Sequence, residues 1–133
     1  MSSLRPSQIP AAATRTVLLV EDDALVRMVT AGELREAGLT VIEAASAGEA
    51  YDAIRAGLAV DVVFTDVRTE GTLDGYEFAR RLRAERPALP VILTSGHLDG
   101  AVAALVAPFL AKPYRIETVI QLIRHQLGAA RTA

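Results

Sequence analysis

At 133 residues the chain is long enough to bury one sizeable core and too short for two. Its 14 basic and 16 acidic side chains leave a formal charge of −2, so there is no cationic excess to neutralise a nucleic-acid backbone, and no direct nucleic-acid binding is expected. The longest apolar runs, VLLV and VDVVF, are strand-sized and fall well below the roughly 20 residues a spanning helix requires, so no membrane insertion is expected either.

In chain order, residues 1–15 carry two prolines and small side chains without an apolar signal segment, which predicts a flexible arm. A single domain over residues 16–128 follows, with a short tail at 129–133. The first strand is predicted at Val17–Val20 and is followed by a helix over Ala24–Ala37, which places Leu25, Met28, Val29 and Gly32 on one face and stops at Gly38. A second strand spans Thr40–Ala44. The next helix opens on Ser46 and Glu49, spaced as a capping box, and stops at Gly57. The β-branched run Val60–Thr65 predicts strand three, Gly75–Glu85 helix three with Pro87 just beyond it, and Val91–Thr94 strand four. Between Ser95 and Lys112 there is room for about two helical turns, at Ala101–Val106, before Pro108. Strand five is predicted at Phe109–Ala111, and the last helix spaces Ile116, Val119, Ile120, Ile123 and Leu127 along one stripe suited to covering a sheet. This alternation predicts an α/β fold, a doubly wound five-stranded parallel sheet with a shortened fourth crossover helix.

In open parallel sheets ligands bind at the carboxyl ends of the strands, and four of the five ends carry polar groups here. Strand one runs into Glu21, Asp22 and Asp23; strand three ends at Asp66, strand four at Thr94 and Ser95, strand five at Lys112. Lys112 is the single lysine among 14 basic residues. Three carboxylates in one pocket repel one another unless they protonate or gain a cation. An oxygen-rich set without His or Cys suits a hard ion, above all Mg²⁺ with Mn²⁺ as a substitute, held by carboxylates, waters and phosphate oxygens. That points to phosphoryl chemistry with Asp66 as the nucleophile, an ammonium beside it and a hydroxyl within hydrogen-bonding reach. The plain alternatives are that EDD only caps a helix and that Lys112 is a surface side chain.

Taken together, VLLVEDD, VVFTD, LDGYEFARRLR, LPVILTSG and FLAKP resemble, in order and spacing, the receiver domains of bacterial two-component response regulators, over roughly residues 16–127. The resemblance implies a flavodoxin-like receiver fold. It identifies Asp66 as the phosphoacceptor for a histidine kinase or histidine phosphotransfer protein. It assigns the metal to Glu21, Asp22, Asp66 and the backbone carbonyl of Arg68, with Asp23 as a neighbour. Ser95 and Phe109 take the switch positions, Lys112 the cation position and His97 a position that tunes dephosphorylation, unless it is a plain loop side chain. Helix one becomes the kinase-docking element, through Leu25, Val26 and Val29. The chain is then a cytoplasmic phosphoprotein and not an enzyme, with output through a downstream protein partner, and the lack of cysteine agrees with that compartment.

The sequence departs from the family's pattern in two places. Glu70 stands where proline is usual and one extra residue precedes Asp74–Gly75; the Ser95–Lys112 connection is several residues short. Three alternatives remain beside this reading: a receiver belonging to a hybrid kinase or multidomain regulator, a phosphohydrolase of the haloacid-dehalogenase type, and a pseudo-receiver that binds partners without being phosphorylated. The hydrolase requires a second aspartate two residues after Asp66, where Arg68 stands. RRLRAER is read as a solvated helix face and His125 as a surface side chain.

Overall fold

The computed structural model describes residues 14–68, 71, 73–96 and 107–132. Five strands, β1 (Thr16–Val20), β2 (Thr40–Ala44), β3 (Val62–Asp66), β4 (Val91–Ser95) and β5 (Phe109–Ala111), form one parallel sheet in the order β2-β1-β3-β4-β5. The helices among the described residues are α1 (Ala24–Glu36), α2 (Ala47–Arg55), α3 (Gly75–Glu85) and α4 (Ile116–Thr132). The inner strands β1, β3 and β4 are almost wholly buried because both faces of the sheet are covered, so they read as continuous apolar runs rather than alternating ones, whereas the edge strands β2 and β5 are partly exposed. Alternation is instead between two cores. Leu18, Val20, Val63 and Leu93 point to the side of α2 and α3, where Ile54, Phe78 and Leu82 meet them. Val17, Leu19, Phe64 and Ile92 point to the side of α1 and α4, against Leu34, Val119 and Ile123. Each such fully buried side chain contributes roughly 1.5–3 kcal/mol relative to exposure.

Helix ends follow the expected chemistry. Asp23, Ser46 and Asp74 accept backbone N–H groups at the starts of α1, α2 and α3. Gly38 and Gly57, at φ of 94° and 108°, follow the ends of α1 and α2 in a conformation that a Cβ would disfavour. β3 begins at Val62, later than the apolar run suggests, because Asp61 turns the chain into the sheet by accepting the Thr16 amide on Oδ2 at 2.7 Å. Tyr51 ties α2 to α3 through a 2.6 Å hydrogen bond to Glu85 and an edge-on contact with Phe78. In RRLRAER, Arg80 and Arg81 pair with Glu77 on an exposed face.

The apolar stripe expected on α1 faces outward: Leu25, Met28 and Val29 are 65%, 61% and 51% exposed, while Thr30, Ala31 and Leu34 are buried. The two sets share the same helical spacing, and the smaller one lets the helix approach the sheet closely. α4 continues to Thr132, past residue 129 where the tail was expected to begin. The predicted helix at Ala101–Val106 and all but the last residues of the predicted arm lie outside the described residues.

Candidate functional site

β1 and β3 are neighbours and β5 lies one strand beyond, across β4; residues at the carboxyl ends of these strands meet in a cleft of about 350 Å³. Glu21, Asp22, Asp66, Arg68, Gly96 and Lys112 are among its lining residues. At its centre Lys112 Nζ donates to Asp66 Oδ2 at 2.6 Å and to Glu21 Oε1 at 2.8 Å. Hydrogen bonds to charged groups of this kind contribute roughly 1.5–3 kcal/mol each. Burial by itself would lower the Lys112 pKa, but the hydrogen bonds and charges of the two carboxylates outweigh it, and the net shift is upward. Lys112 therefore remains an ammonium at neutral pH. Burial pushes the Glu21 carboxyl up, and the hydrogen bonds from Lys112 and from the Asp23 amide only partly offset this.

The backbone holds the acidic groups in place. Glu21 N–H extends the β1–β2 ladder to the Ala44 carbonyl at 3.1 Å, and Glu21 Oε2 accepts the Asp23 amide at 3.1 Å. Asp66 Oδ1 accepts the Arg68 amide at 3.0 Å, so the phosphoacceptor candidate has both oxygens engaged. Asp23 Oδ1 takes the Leu25 and Val26 amides, which makes it the cap of α1 rather than part of the cleft's charge pairing. Asp22 is exposed and lines the cleft. Ser95 is 1% exposed at the end of β4, and its carbonyl accepts the Lys112 amide at 2.9 Å. The neighbouring Thr94 hydroxyl is buried without a hydrogen-bond partner among the described residues. Phe109, at the opposite end of β5 from the cleft, is half-buried against the α3-side core. The sequence-predicted residues Glu21, Asp22, Asp66, Arg68 and Lys112 are thus brought together, with Ser95 beside them. His97 lies outside the described residues, as do Thr69, Glu70 and Thr72 of the lengthened loop.

The donor chemistry fits a hard divalent cation: carboxylate oxygens on one open cleft, with no nitrogen or sulfur ligand among the described lining residues. No group of three or more His, Cys, Asp or Glu side chains is gathered as a ready ligand set among the described residues, because Glu21 and Asp66 turn toward Lys112. Mg²⁺ requires only one or two carboxylates, with waters and phosphate oxygens completing its shell, so the arrangement remains compatible with it.

Three contributors escaped the sequence reading. Gly75 lies where an added Cβ would fall 1.9 Å from the Asp66 carbonyl oxygen, so α3 packs directly on the Asp66 backbone. The signal was present in DGYE, a cap with glutamate three residues on. Tyr114 packs edge-on against Phe64 at 5.7 Å between centroids; its hydroxyl pKa is raised chiefly by burial, against a hydrogen bond with Thr30. Arg27 binds the Glu21 carbonyl at 2.7 Å, and nothing in the local sequence shows that its side chain turns to that carbonyl.

Comparison with known proteins agrees with this geometry. A model of the response regulator receiver domain matches residues 17–124. The C4-dicarboxylate transport transcriptional regulatory protein DctD of Rhizobium meliloti is 36% identical over 120 residues, covering 84% of this chain and 25% of that protein. The sensor kinase CckA of Brucella abortus is 36% identical over 118 residues, covering 84% of this chain and 12% of that one. A solved response regulator receiver protein from Sinorhizobium medicae superposes with a TM-score of 0.83 at 28% identity, covering 90% of this chain and 98% of that one. The chain spans a quarter or less of the length of DctD and CckA. With the family matched across most of its length, the chain belongs to the receiver domains of two-component response regulators, signalling domains that accept phosphoryl groups from histidine kinases.

Proposed function

We propose that Asp66 is the phosphoacceptor of this receiver and that the cleft around it is the phosphorylation switch. The observation that carries the proposal is the Lys112 ammonium bridging Asp66 and Glu21 at the carboxyl edge of the sheet, beside the exposed Asp22. An Asp66 carboxylate oxygen forms a bond to phosphorus as the phosphorus–nitrogen bond of a phosphohistidine breaks, and the departing imidazole retains the electron pair. Glu21, Asp22, Asp66 and the Arg68 carbonyl would hold Mg²⁺, which supplies charge neutralisation for the phosphoryl oxygens when bound. Lys112 follows the new negative charge, moving from the carboxylate to a phosphoryl oxygen as a compact point charge. Ser95 donates its hydroxyl to another of those oxygens, and Phe109 responds from the neighbouring strand, which changes the β4–β5 surface offered to a downstream protein.

The donor, a histidine kinase or histidine phosphotransfer protein, docks on the outward face of α1, where Leu25, Val26 and Val29 are exposed beside the cleft. The domain carries no catalytic turnover beyond its own phosphorylation and dephosphorylation, and it works in the cytoplasm. No helix of the described residues is long and apolar enough to cross a membrane. The test is intact mass after incubation with Mg²⁺ and acetyl phosphate, comparing wild type with Asp66→Ala. An adduct that requires both Mg²⁺ and Asp66 is expected; its absence from the wild type would sink the proposal, and so would its persistence in the variant.

A further inference from the structure

α1 turns its longest apolar side chains to solvent and keeps a guanidinium against the sheet. The side chain of Arg27 is 20% exposed, while Leu25 and Met28 beside it exceed 60%. Arg27 Nη1 donates to the Glu21 carbonyl at 2.7 Å, and Nε lies 3.5 Å from Glu43 Oε1 on β2. Arg35 Nη2 reaches the same Glu43 at 3.2 Å and also the Val41 carbonyl at 2.9 Å, so β2 and Glu43 are braced independently of Arg27. What Arg27 alone adds among these contacts is the hold on Glu21. The carbonyl it grips belongs to the peptide that joins Glu21 to Asp22, and rotation of that peptide swings Asp22 relative to Asp66.

The geometry points to Arg27 as a positioning residue for the cation cleft. By gripping the Glu21 carbonyl and bracing on Glu43, it fixes the direction from which the Asp22 carboxylate meets a divalent cation. This inference rests on the metal reading of the cleft given above. Arginine suits the task because its fork presents Nη1 and Nε to two acceptors at once, whereas a lysine ammonium satisfies one of them. Groups that orient metal ligands from outside the coordination sphere typically govern metal affinity strongly.

Mg²⁺ affinity, measured without any phosphoryl donor by following backbone amide signals of Asp22 and Arg68, separates this role from a merely stabilising one. Arg27→Ala is expected to weaken Mg²⁺ binding by about 10- to 100-fold, and Arg27→Lys to recover part of the loss. Arg35→Ala also removes a Glu43 contact but leaves Glu21 untouched; it is expected to lower the melting temperature and keep wild-type Mg²⁺ affinity. Should Arg27→Ala fail to fold, Arg27→Lys carries the test, with reduced affinity supporting the inference and wild-type affinity overturning it. Wild-type affinity in a folded Arg27→Ala, or an equal loss in Arg35→Ala, would likewise overturn the inference while leaving the metal reading intact. A wild-type protein that binds no Mg²⁺ would overturn the metal reading itself, and this inference with it.

Discussion

Replacing Gly75 with alanine tests whether the start of α3 is fitted to the Asp66 backbone. The added Cβ would lie 1.9 Å from the Asp66 carbonyl oxygen, 2.8 Å from its carbon and 2.9 Å from Val67 Cα. All three neighbours are backbone atoms, so no side chain can swing away, and α3 must retreat from β3 by about 1 Å or more. Overpacking of this kind costs about 1–3 kcal/mol, and a backbone-only clash belongs at the upper end. Retreat also stretches the 2.7 Å hydrogen bond from the Gly75 amide to the Val67 carbonyl, a further loss of about 1 kcal/mol. At about 4 °C per kcal/mol for a domain of this size, Tm should fall by about 12–16 °C in a thermal melt followed by circular dichroism. Because the displaced atoms belong to Asp66 and its neighbour, adduct formation with acetyl phosphate should slow as well, by up to about 100-fold. Gly32→Ala is the matched control: its Cβ meets nothing within 4 Å inside α1, so it should stabilise by about 0.5–1 kcal/mol. A Gly75→Ala protein that melts with the wild type and reacts at the same rate would refute the reasoning.

Lys112→Arg should keep the fold and lose most of the spectral change that beryllofluoride with Mg²⁺ induces, since a planar guanidinium cannot follow the charge as a point cation; a full wild-type response would count against that role. The raised carboxyl pKa of Glu21 means that the folded state holds this proton more tightly than the unfolded chain, so the associated stability is present below the ordinary value of 4.5 and is lost as pH rises through the folded value. Glu21→Gln should therefore flatten the decline in Tm from about pH 4.5 toward neutrality in Mg²⁺-free buffer, and an unchanged slope would contradict the burial assigned to Glu21. Val29→Asp, at a position 51% exposed, should alter stability by less than about 0.5 kcal/mol. The same variant should cut phosphotransfer from a histidine kinase by about tenfold or more, which corresponds to about 1.4 kcal/mol, while its reaction with acetyl phosphate stays unchanged.

Much of this protein is legible in its sequence because the governing interactions are local or periodic. VLLV, VVFTD and VILTS read as strands buried on both faces; DALV, SAGE and DGYE carry their helix caps in the chain itself. Glu21, Asp22, Asp66 and Lys112 stand out because each lies at or just beyond the end of a strand, and a parallel sheet gathers such ends at one edge. Local sequence could not decide the rotation of α1, since Leu25–Met28–Val29 and Arg27–Thr30–Ala31–Leu34 satisfy the same helical period. Packing resolved it: Thr30 and Ala31 allow close approach to the sheet, while the larger side chains do not. Tertiary structure also decided that Arg27 reaches Glu21, that Gly75 rests on the Asp66 backbone, and that Lys112, 46 residues from Asp66 and 91 from Glu21, lies within hydrogen-bonding distance of both. Residue type and spacing determine which groups arrive at the strand ends. The crossovers and the helix packing determine which of them touch, because those contacts join parts of the chain that have no local means of sensing one another.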